Sequence, residues 1–489
     1  MKCSEISELF PLLTDKPPAI VFTGVQCDSR RVRPGDLFVA VSGQRDDGAK
    51  YGAAALARGA AAVVSEMPLR DCAKANVVVS DARLALAILA NAVNGWPSRK
   101  MDVFGITGTN GKTTTAWLLN ELLRAHGGNP GLLTTVQVAY HDRIIPAART
   151  TPDACELQSL LAAMAGAGCG SAVMEVSSHA LDQQRTEGIR FAGAAFTNLS
   201  HDHLDYHGSM EAYWETKKRL FVQLAREKPG AAAVCFLDAP YGAQMAEFLA
   251  TLPVQRVTCG FSDAADIRAE DVLLTPDGSR FTLVTPDGAR VQVDVQLAGR
   301  HNIANILCAV ALALSAGVPL ETITALLPKL RPQWGRLESV PVNAAFRVFV
   351  DYAHTDDALR NVLSAIREMS KGRTIVVFGC GGDRDRTKRP LMGCACADGA
   401  DVLVVTSDNP RSENPETIIA EVTAGIPQGK ETHIEPSRRA AIRLALSLAK
   451  ADDVVLVAGK GHESFQEIAG RSFPFDDRQV VIEEMESLH

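Results

Sequence analysis

The sequence of Gly105–Thr114 is GITGTNGKTT, and it lies between the apolar pair Val103-Phe104 and a helical pattern. The order strand, glycine-rich loop, helix is that of a phosphate-binding P-loop. Its glycines let backbone N–H groups turn around phosphate oxygens, Lys112 brings a positive charge, and the Thr113 hydroxyl can bind a nucleotide-associated Mg²⁺. The match departs from the usual pattern because Ile106 occupies the place of the first glycine. The stretch therefore predicts a nucleoside triphosphate site in an α/β domain.

Length and composition place the rest of the chain among large globular enzymes. The chain has 489 residues, 46% of them hydrophobic and 22% charged, so about three domains are expected rather than one core. The formal net charge of −7 gives no global attraction for nucleic acid or an anionic membrane, and no apolar run approaches the length of a membrane span. The composition thus favours an enzyme acting on small molecules, without nucleic-acid or membrane partners.

The cysteines and the start of the chain indicate the compartment. The eleven cysteines are scattered, and the closest pair, Cys394 and Cys396, does not have the spacing of a zinc knuckle. They are typical of reduced core cysteines in a cytosolic protein. Met1–Glu5 does not begin a secretory signal, which needs a basic segment followed by an apolar one. We therefore expect a soluble cytoplasmic protein, and we take it to be a monomer.

Residues 1–98 are predicted to form a small N-terminal α/β domain, because strand-like apolar runs alternate with helical, alanine-rich stretches. Trp96–Lys100 combines turn and charge signals and marks a linker before the P-loop. Polar loops at Cys27–Arg31 and Ser42–Gly48 are, on their own, interpreted as solvated turns. The predicted strands are Ala19–Phe22, Leu37–Val41, Ala62–Val64 and Val77–Val79.

Residues 99–331 are predicted to form a central P-loop ATPase domain with a mainly parallel sheet. A buried strand that begins at Ala172 carries Glu175 near its end, where a P-loop fold places a metal-organising carboxylate. Glu175 is thus the candidate Mg²⁺ partner of Thr113. Another strand runs into the loop His201–His207, which contains three histidines and two aspartates. Because phosphates favour Mg²⁺ with oxygen ligands, at most one imidazole is expected to join; a zinc site is the alternative.

The remainder of this domain contains a basic helix, a hairpin region and a long apolar helix. The helix Glu211–Ala225 carries Lys217–Arg219, whose plainest interpretation is a solvated basic face. Two Pro-Asp-Gly turns within residues 226–296 predict a β-hairpin region. The polar stretch Gly299–Asn305 then leads into the helix Ile306–Ala316.

Residues 332–489 are predicted to form a C-terminal, Rossmann-like doubly wound domain, because four apolar strands alternate with helical stretches. Each strand runs into a polar or glycine-containing loop. In open α/β sheets ligands bind at the carboxyl ends of strands, so four such loops predict one binding cleft. The loops begin at Asp351, Gly379, Thr406 and Ala458, after the strands Val348–Val350, Thr374–Phe378, Val402–Val405 and Val454–Val457.

Several of these motifs, taken in order, resemble those of the Mur ligase family, and the resemblance covers nearly the whole chain. Any one motif would be weak evidence, whereas their order across two domains is specific. The Asp408–Arg411 loop is similar to the motif of family members that add meso-diaminopimelate. The matching stretches are Gly105–Thr114, Met174–His179, Thr197–Leu199, Asp202–Gly208, Asn302, Gly335-Arg336, Asp351–His354 and Gly459–Glu463.

The resemblance implies an ATP- and Mg²⁺-dependent amide ligase of peptidoglycan precursor synthesis. Such an enzyme would add meso-2,6-diaminopimelate to the D-glutamate of UDP-N-acetylmuramoyl-L-alanyl-D-glutamate through an acyl phosphate. Residues 1–98 would bind the UDP-sugar, residues 99–331 ATP, and residues 332–489 the amino acid. A related ligase that adds L-lysine, or a folylpolyglutamate synthase, is the alternative, and a regulatory P-loop ATPase is a more distant one.

The resemblance also implies roles for individual residues. Lys112, Glu175, His203 and Lys217 would be catalytic. The resemblance implies that one Mg²⁺ is held by Thr113 and Glu175. The lysine matching Lys217 is carbamylated in such families, and it would help to hold a second Mg²⁺ beside His203. Diaminopimelate has one carboxylate more than lysine, and Arg411, with Arg384 as a second candidate, could bind it bidentately.

Three contact sets follow from the same resemblance. The expected ATP contacts are Gly108, Thr109, Asn110, Gly111, Lys112, Thr113, Thr114, Asn302, Arg336 and Asp351. The expected UDP-muramoyl-dipeptide contacts are Ser29, Gln44, Arg45, Asp46, Thr150, Thr151, Ser177, Gln183 and Arg185. The expected diaminopimelate contacts are Arg384, Asp408, Asn409, Pro410, Arg411, Gly459 and Glu463.

Overall fold

The computed structural model describes residues 1–14, 20–43, 46–275, 277–331 and 335–488, and it shows three α/β domains in chain order. Each domain has its own sheet covered by helices, which is the architecture predicted from the sequence. Among the described residues, no helix is both long enough and apolar enough to cross a lipid bilayer. Short 3₁₀ helices span Cys3–Glu5, Ser7–Leu12, Ser29–Arg31, Gly48–Tyr51, Arg70–Ala75, Pro97–Arg99 and Leu327–Lys329.

The first domain is a small parallel sheet with two α-helices among its described residues. Its elements are β1 (Gly24–Gln26), β2 (Asp36–Val39), α1 (Gly52–Ala57), β3 (Ala62–Ser65), β4 (Asn76–Val78) and α2 (Ala82–Val93). The strand order is β1-β2-β3-β4. The predicted strand Ala19–Phe22 is wrong: its first residue lies outside the described residues, and Val21 forms an isolated bridge to Lys2. The edge strand β1 starts instead at Gly24, where a Cβ atom would lie 2.1 Å from Asp36 Oδ1.

The central domain is built on a long mixed sheet. Its strands are β5 (Asp102–Thr107), β6 (Pro130–Leu133), β7 (Gln137–Tyr140), β8 (Arg143–Pro146), β9 (Ser171–Glu175), β10 (Phe191–Phe196), β11 (Ala232–Phe236), β12 (Gln255–Gly260), β13 (Ile267–Thr275), β14 (Gly278–Val284) and β15 (Arg290–Val295). The strand order is β15-β14-β13-β12-β11-β10-β5-β9-β6-β7-β8. The strands from β13 to β6 are parallel, and antiparallel strands close both edges. The predicted mainly parallel sheet and hairpin region are confirmed, although Pro276 of the first turn lies outside the described residues.

Two apolar layers of helices cover the faces of this sheet. Its helices are α3 (Lys112–Ala125), α4 (Ala154–Gly166), α5 (Ser178–Asp182), α6 (Leu204–His207), α7 (Met210–Glu227), α8 (Gly242–Leu249), α9 (Arg300–Ser315) and α10 (Leu320–Leu326). Leu119 of α3 and Leu307 of α9 belong to one buried cluster, whereas Leu161 of α4 and Leu220 of α7 belong to the other. Burial on both faces explains the nearly continuous apolar sequence of the parallel strands.

Helix α9 begins at Arg300, within the polar stretch Gly299–Asn305, whereas the predicted helix began at Ile306. Gly299, with φ of 92°, takes a conformation that other residues rarely adopt, and the helix begins directly after it. Inside the helix, Asn302 donates its side-chain amide to Ala298 O (2.8 Å), and Asn305 accepts a hydrogen bond from Thr115 Oγ1 of α3 (3.3 Å). The polar stretch is thus the first part of the helix, and Asn305 faces the P-loop helix.

The third domain is a doubly wound sheet, as predicted. Its strands are β16 (Glu338–Val340), β17 (Arg347–Asp351), β18 (Thr374–Phe378), β19 (Val402–Val405), β20 (Thr432–Ile434), β21 (Val454–Ala458), β22 (Phe465–Ile468) and β23 (Arg471–Pro474). Its helices are α11 (Asp356–Met369), α12 (Lys388–Gly399), α13 (Pro415–Thr423), α14 (Arg438–Leu448) and α15 (Asp477–Leu488). The order is β16-β17-β21-β18-β19-β20, parallel except for β16, while β22 and β23 form a separate hairpin.

Candidate active site

The P-loop joins the end of β5 to the first residue of α3. Gly108 (φ 150°) and Gly111 (φ 83°) take backbone conformations that side chains disfavour. A Cβ atom at Gly108 would lie 1.9 Å from Thr197 Oγ1, and one at Gly111 would lie 2.3 Å from Asn305 Oδ1. Glycine is therefore required at both positions, for the backbone conformation and for the close packing. At the loop, the N-terminal dipole of α3 favours binding of an anion.

Two lysine ammonium groups converge on one carbonyl of this loop. Lys112 Nζ donates to Gly108 O (3.0 Å) and to Thr109 O (2.7 Å). Lys217 Nζ, from α7, also donates to Gly108 O (2.8 Å), and its side chain is fully buried. Burial lowers the pKa of Lys217 well below its usual value, and the charge of Lys112 lowers it further. The interpretation of Lys217 as part of a solvated basic face is therefore wrong.

Glu175, at the end of β9, holds the Thr113 hydroxyl. Thr113 Oγ1 donates to Glu175 Oε1 (2.8 Å), so the two residues predicted to share a metal ion are in contact. Thr135 donates its backbone N–H to the same oxygen (2.8 Å) and its hydroxyl to Oε2 (3.1 Å). A carboxylate and a hydroxyl are hard oxygen ligands, so this pair fits Mg²⁺.

Arg336 and Asp351 reach the same cleft from the third domain. Arg336 Nη2 donates to Thr113 Oγ1 (3.3 Å), and its guanidinium carbon lies 4.7 Å from the centroid of the Tyr352 ring. Among the described residues, its buried Nε has no hydrogen-bond partner, which suits contact with an anionic ligand. Asp351 accepts hydrogen bonds from Leu337 N (2.6 Å) and Ala353 N (2.7 Å), and burial raises its pKa. This carboxylate thus also fixes the backbone around Arg336.

A cavity of about 490 Å³ lies between the central and third domains. It contains most of the predicted ATP contacts, together with Glu175 and His203, whereas Gly108 and Lys217 do not line it. The predicted contacts that line it are Thr109, Asn110, Gly111, Lys112, Thr113, Thr114, Asn302, Arg336 and Asp351.

Asp357, in the first turn of α11, ties the third domain to the central one. Its Oδ2 atom accepts hydrogen bonds from Asn110 Nδ2 of the P-loop (2.6 Å) and from Ser200 Oγ after β10 (2.6 Å). Burial raises the pKa of Asp357, while both donors oppose that change by stabilising the carboxylate. A single carboxylate oxygen therefore connects the nucleotide loop with the domain predicted to bind the amino acid.

The loop after β10 brings imidazole rings close to the P-loop. His203 Nε2 lies 3.3 Å from Asp202 Oδ2, and its ring centroid lies 4.9 Å from that of His179. Burial lowers the pKa of His203 to about 4, so the ring is neutral at physiological pH and free to act as a ligand. The zinc alternative has no support, because no residue of this loop belongs to a compact group of three ligand side chains among the described residues.

The residues predicted to hold the muramoyl dipeptide form one network beside Glu175. Thr151 Oγ1 donates to Glu175 O (2.9 Å) and lies 3.3 Å from Ser177 Oγ. Arg185 Nη1 donates to Thr151 O (2.8 Å), and its Nη2 donates to Gln183 Oε1 (2.7 Å). The structure thus brings four residues of this set together next to the P-loop cleft.

The predicted UDP contacts of the first domain are separate from this cleft. Ser29 begins a 3₁₀ helix and is half-buried, and the carboxylate of Asp46 accepts a hydrogen bond from Tyr51. Gln44-Arg45 lies outside the described residues. Within the part of the chain that the structure describes, no hydrogen bond joins Ser29 or Asp46 to the P-loop network.

The predicted diaminopimelate loop is organised around a buried lysine. Lys460 Nζ donates to Asn409 Oδ1 (3.0 Å) and Glu463 Oε2 (3.1 Å), and it lies 3.6 Å from Asp408 Oδ1. Gly459 (φ 117°) allows this close packing, since a Cβ atom there would lie 2.7 Å from Asp408 Oδ2. The ammonium group of Lys460 therefore lies between the carboxylates of Asp408 and Glu463, two of the expected diaminopimelate contacts.

Arg411 lies at the edge of this loop in a strained conformation, with φ of 53°. Its Nη1 donates to Gly382 O (2.7 Å), and its Nε lies 3.4 Å from Glu467 Oε2 on β22. The close packing of the Gly382 and Pro410 backbones requires a glycine at position 382, because a Cβ atom there would lie 2.0 Å from Pro410 O. Arg384 is exposed and donates to the carbonyl of its preceding residue (3.2 Å), so it is not part of the Arg411 network.

Three polar residues of the site were not singled out from the sequence. Thr135, whose hydroxyl oxygen also lies 3.1 Å from Thr150 Oγ1, carries no local signal. Asp357 lies in the first turn of α11, where an acidic residue commonly stabilises the N-terminus of a helix. The sequence therefore provides no reason to assign it a role in the site. Lys460 belongs to a quoted motif and follows a buried strand directly, and that position could have indicated its burial.

Replacing Asp357 should weaken domain closure on the nucleotide. We expect Asp357→Ala to lower kcat/KM for ATP by about tenfold, because two hydrogen bonds to a charged acceptor are lost. Asp356→Ala is the matched control, since Asp356 makes no side-chain hydrogen bond to the central domain among the described residues. Steady-state kinetics and small-angle scattering measure the effect, and equal kinetics for the two variants would contradict it.

Acid should destabilise the protein through His301, which lines the cleft. Burial lowers its pKa from 6.5 to about 4, so between these values the unfolded chain binds the proton and the folded chain does not. The stability that His301 contributes is present above about pH 6.5 and is lost as the pH falls toward 4. We expect the thermal midpoint of His301→Gln to fall less steeply over this pH range than that of the unmodified protein. Parallel curves of thermal midpoint against pH would exclude His301 as a source of the acid instability.

Models of one family match the chain in order along its length. “Mur ligase family, catalytic domain” matches residues 21–94, “Mur ligase middle domain” matches residues 106–313, and “Mur ligase, glutamate ligase domain” matches residues 335–461. The second match contains the P-loop and Glu175, and the third contains Arg336 and the Asp408–Arg411 loop.

Named relatives are similar over almost the whole chain. A UDP-N-acetylmuramoyl-L-alanyl-D-glutamate–2,6-diaminopimelate ligase from Gloeobacter violaceus is 45% identical over 486 residues, which cover 99% of this chain and 98% of the relative. A protein of the same name from Geobacillus kaustophilus is 44% identical over 461 residues, covering 94% and 93%. A solved structure of a protein of that name has a TM-score of 0.72 and 35% identity, covering 100% of this chain and 99% of its own.

Proposed function

Because this chain belongs to the Mur ligase family, we propose that it joins meso-2,6-diaminopimelate to the D-glutamate of UDP-N-acetylmuramoyl-L-alanyl-D-glutamate at the expense of ATP. The observation that carries the proposal is a P-loop whose Lys112, Thr113 and Glu175 share one cleft with residues of the third domain. The full-length similarity to ligases named for this reaction supports the choice of substrates. The product would be a cytoplasmic precursor of the peptidoglycan cell wall.

In this proposal, each of the three domains binds a different part of the substrates. Residues 1–98 bind the UDP part, residues 99–331 bind ATP and the muramoyl dipeptide, and residues 332–489 bind diaminopimelate. The carboxylate and hydroxyl network beside Glu175 supports the second assignment, because the reacting glutamate must lie next to the γ-phosphate. We also propose that the enzyme acts as a monomer, since the described cleft is assembled from domains of one chain.

Phosphoryl transfer asks the protein mainly for positioning and charge stabilisation. Bound Mg²⁺ would neutralise phosphate charge. Thr113 and Glu175 would hold one ion through their oxygen atoms, and His203 with modified Lys217 would hold a second. Lys112 would leave the carbonyls of the P-loop and turn to the phosphate oxygens. Arg336 would approach the nucleotide from the third domain with its unpaired Nε.

Lys217 is proposed to act as a carbamate. A carbamate forms when a neutral amine adds to carbon dioxide and loses a proton, and it converts a cationic side chain into a carboxylate. Burial together with the nearby charge of Lys112 lowers the pKa of Lys217, which favours the neutral amine needed for that reaction. The product would relieve the repulsion between the ammonium groups of Lys112 and Lys217, which both donate to one carbonyl.

The third domain completes the reaction by excluding water and selecting the amine. The contact between Asp357 and the P-loop closes the cleft, which protects an acyl phosphate from hydrolysis. The amino group of diaminopimelate then attacks the acyl carbon, phosphate leaves, and an amide remains. Arg411 is proposed to recognise the far carboxylate of diaminopimelate, a group that lysine does not have.

The proposal is tested by ATP- and Mg²⁺-dependent phosphate release with UDP-N-acetylmuramoyl-L-alanyl-D-glutamate and one of three additions: meso-diaminopimelate, L-lysine or no amino acid. We expect release with diaminopimelate alone. Equal release with lysine would support a ligase of different specificity, and release that requires a folate acceptor would support a folylpolyglutamate synthase. Release independent of every acceptor would instead support a regulatory ATPase.

A further inference from the structure

Two thiols and a carboxylate meet where the first domain joins the central one. Cys27 directly follows β1 of the first domain, while Asp153 and Cys155 lie at the start of α4 in the central domain. Their sulfur and oxygen ligand atoms all lie within 4.8 Å of one another. Among the described residues, no other group of three histidine, cysteine, aspartate or glutamate side chains is as compact. None of the three has a role in the proposed ligase reaction.

The positions of these side chains are fixed by local structure. Asp153 is the N-cap of α4, and its Oδ1 atom accepts a hydrogen bond from Glu156 N (3.0 Å). Cys155 lies in the first turn of the helix and is 9% exposed, and with Ala154 it packs into the apolar core of the first domain. Cys27 is half-buried against the same cluster. The donor set therefore belongs to a packed domain interface rather than to mobile surface side chains.

The electrostatics of the group favour a cation. A hydrogen bond from Cys155 lowers the pKa of Cys27, whereas burial and the carboxylates of Asp153 and Asp28 oppose that shift. The pKa of Cys155 is raised, chiefly because its thiol donates to Cys27. The two thiols and the carboxylate of Asp153 thus interact electrostatically. A divalent ion would stabilise both thiolates together with the carboxylate.

We propose that Cys27, Asp153 and Cys155 form a binding site for a thiolate-preferring divalent cation of the zinc class. Zinc binds sulfur at about 2.3 Å and carboxylate oxygen at about 2.0–2.2 Å, so its tetrahedral ligands lie less than about 4 Å apart. The ligand atoms of the three side chains lie within 4.8 Å of one another, so a small rotation of the side chains would bring them to these distances. Binding releases the thiol protons to solvent and leaves a fourth position for water.

The carboxylate distinguishes this group from a simple pair of close cysteines. Cys259 and Cys308 also approach each other, with 3.5 Å between sulfurs, but they are buried in the central core without a compact carboxylate partner among the described residues. A disulfide between Cys27 and Cys155 would make no use of Asp153, whereas a cation uses all three groups. The ion would clamp the first domain to the central one, two residues from Ser29 and from Thr151.

Cobalt(II) titration of the reduced full-length protein tests the proposal, because thiolate ligands give Co²⁺ a near-ultraviolet charge-transfer absorption. We expect the band to saturate at one Co²⁺ per chain and to disappear when Zn²⁺ is added. Cys27→Ser and Cys155→Ser should abolish it, and Asp153→Asn should weaken Co²⁺ binding by about tenfold. Cys394→Ser is the matched control and should leave the band unchanged, since Cys394 is another half-buried thiol.

Absence of the band, or its persistence in both cysteine variants, would overturn the proposal. A second measurement avoids dependence on variants that fail to fold: Zn²⁺ should protect Cys27 and Cys155 of the unmodified protein from alkylation, with Cys394 as the unprotected reference. Equal alkylation with and without Zn²⁺ would count against the site. If the reduced protein binds no Co²⁺ and Cys27 and Cys155 form a disulfide on oxidation, a disulfide pair would replace the proposed cation site.

Discussion

The variant Lys217→Ala is expected to lose about 10²–10³-fold in kcat for diaminopimelate-dependent phosphate release, a loss typical of removing one group that stabilises developing charge. The structural reason is the position of Lys217, whose ammonium group is buried and bonded to the carbonyl of Gly108 in the P-loop. As a carbamate, the same side chain would supply a carboxylate at the catalytic centre. Without it, the charge around the transferring phosphoryl group is unbalanced.

Lys218 provides a matched control one residue away. Its half-buried ammonium group pairs with Glu215 (2.6 Å) and lies over the ring of Phe248, away from the P-loop carbonyl that Lys217 contacts, so Lys218→Ala should change kcat by less than about twofold. Protein prepared with ¹³C-labelled bicarbonate should show a carbamate signal that Lys217→Ala lacks and Lys218→Ala keeps. A folded Lys217→Ala protein that lacks the signal and keeps its rate would contradict the catalytic role of Lys217, and absence of the signal from the unmodified protein would contradict the carbamate.

The second large effect concerns amino-acid choice, where we expect kcat/KM for meso-diaminopimelate to exceed that for L-lysine by about 10⁴-fold. A site built to bind a charged group rejects the analogue that lacks it by this order, because the half-buried partner then has no ligand for its free donor. Arg411 is the proposed partner. Among the described residues its Nη2 has no hydrogen-bond partner, although Nη1 and Nε are held by Gly382 and Glu467.

Arg411→Ala should therefore raise KM for diaminopimelate by at least about tenfold and leave KM for ATP unchanged. Arg384→Ala should have a smaller effect, because that guanidinium is exposed and contacts a neighbouring carbonyl. Arg360→Ala, which breaks a surface pair with Asp398 (2.7 Å), controls for loss of charge in this domain. Comparable turnover of lysine and diaminopimelate by the unmodified enzyme would refute the assignment, as would equal changes in both KM values for Arg411→Ala.

Local signals were sufficient for the P-loop and for the interior strands. The glycine-lysine-threonine pattern of Gly105–Thr114 specifies backbone geometry and ligand chemistry at once, and the structure shows the predicted strand, loop and helix. Strands such as Val402–Val405 are buried on both faces, so their sequence is continuously apolar and their position is easy to predict.

The edge of the first sheet shows why apolar character alone misleads. Ile20–Phe22 is apolar, yet Val21 is exposed and the segment pairs with the start of the chain. The strand at Gly24–Gln26 carries a glycine, which strand propensity disfavours. That glycine is needed because the Asp36 carboxylate occupies the space of its missing side chain.

The candidate site was predictable as motifs but not as a set of contacts. Thr113 and Glu175 could be paired from their positions at strand ends, and their hydroxyl and carboxylate do meet. The bond from Asn110 to Asp357 depends on how two separate domains close, and no local pattern encodes that. Similarly, Lys217 has the sequence of a surface helix, and its burial follows from the packing of α7 against the P-loop.

Gly108 presents one carbonyl oxygen to the ammonium groups of both Lys112 and Lys217, and an incoming anion must compete with that oxygen. A nucleoside triphosphate can do so, because its base, ribose and several phosphates contribute contacts beyond the P-loop. Orthophosphate has no such additional contacts, so it gains little by displacing the carbonyl. The enzyme should consequently suffer little product inhibition by the phosphate it releases and keep its turnover as that phosphate accumulates.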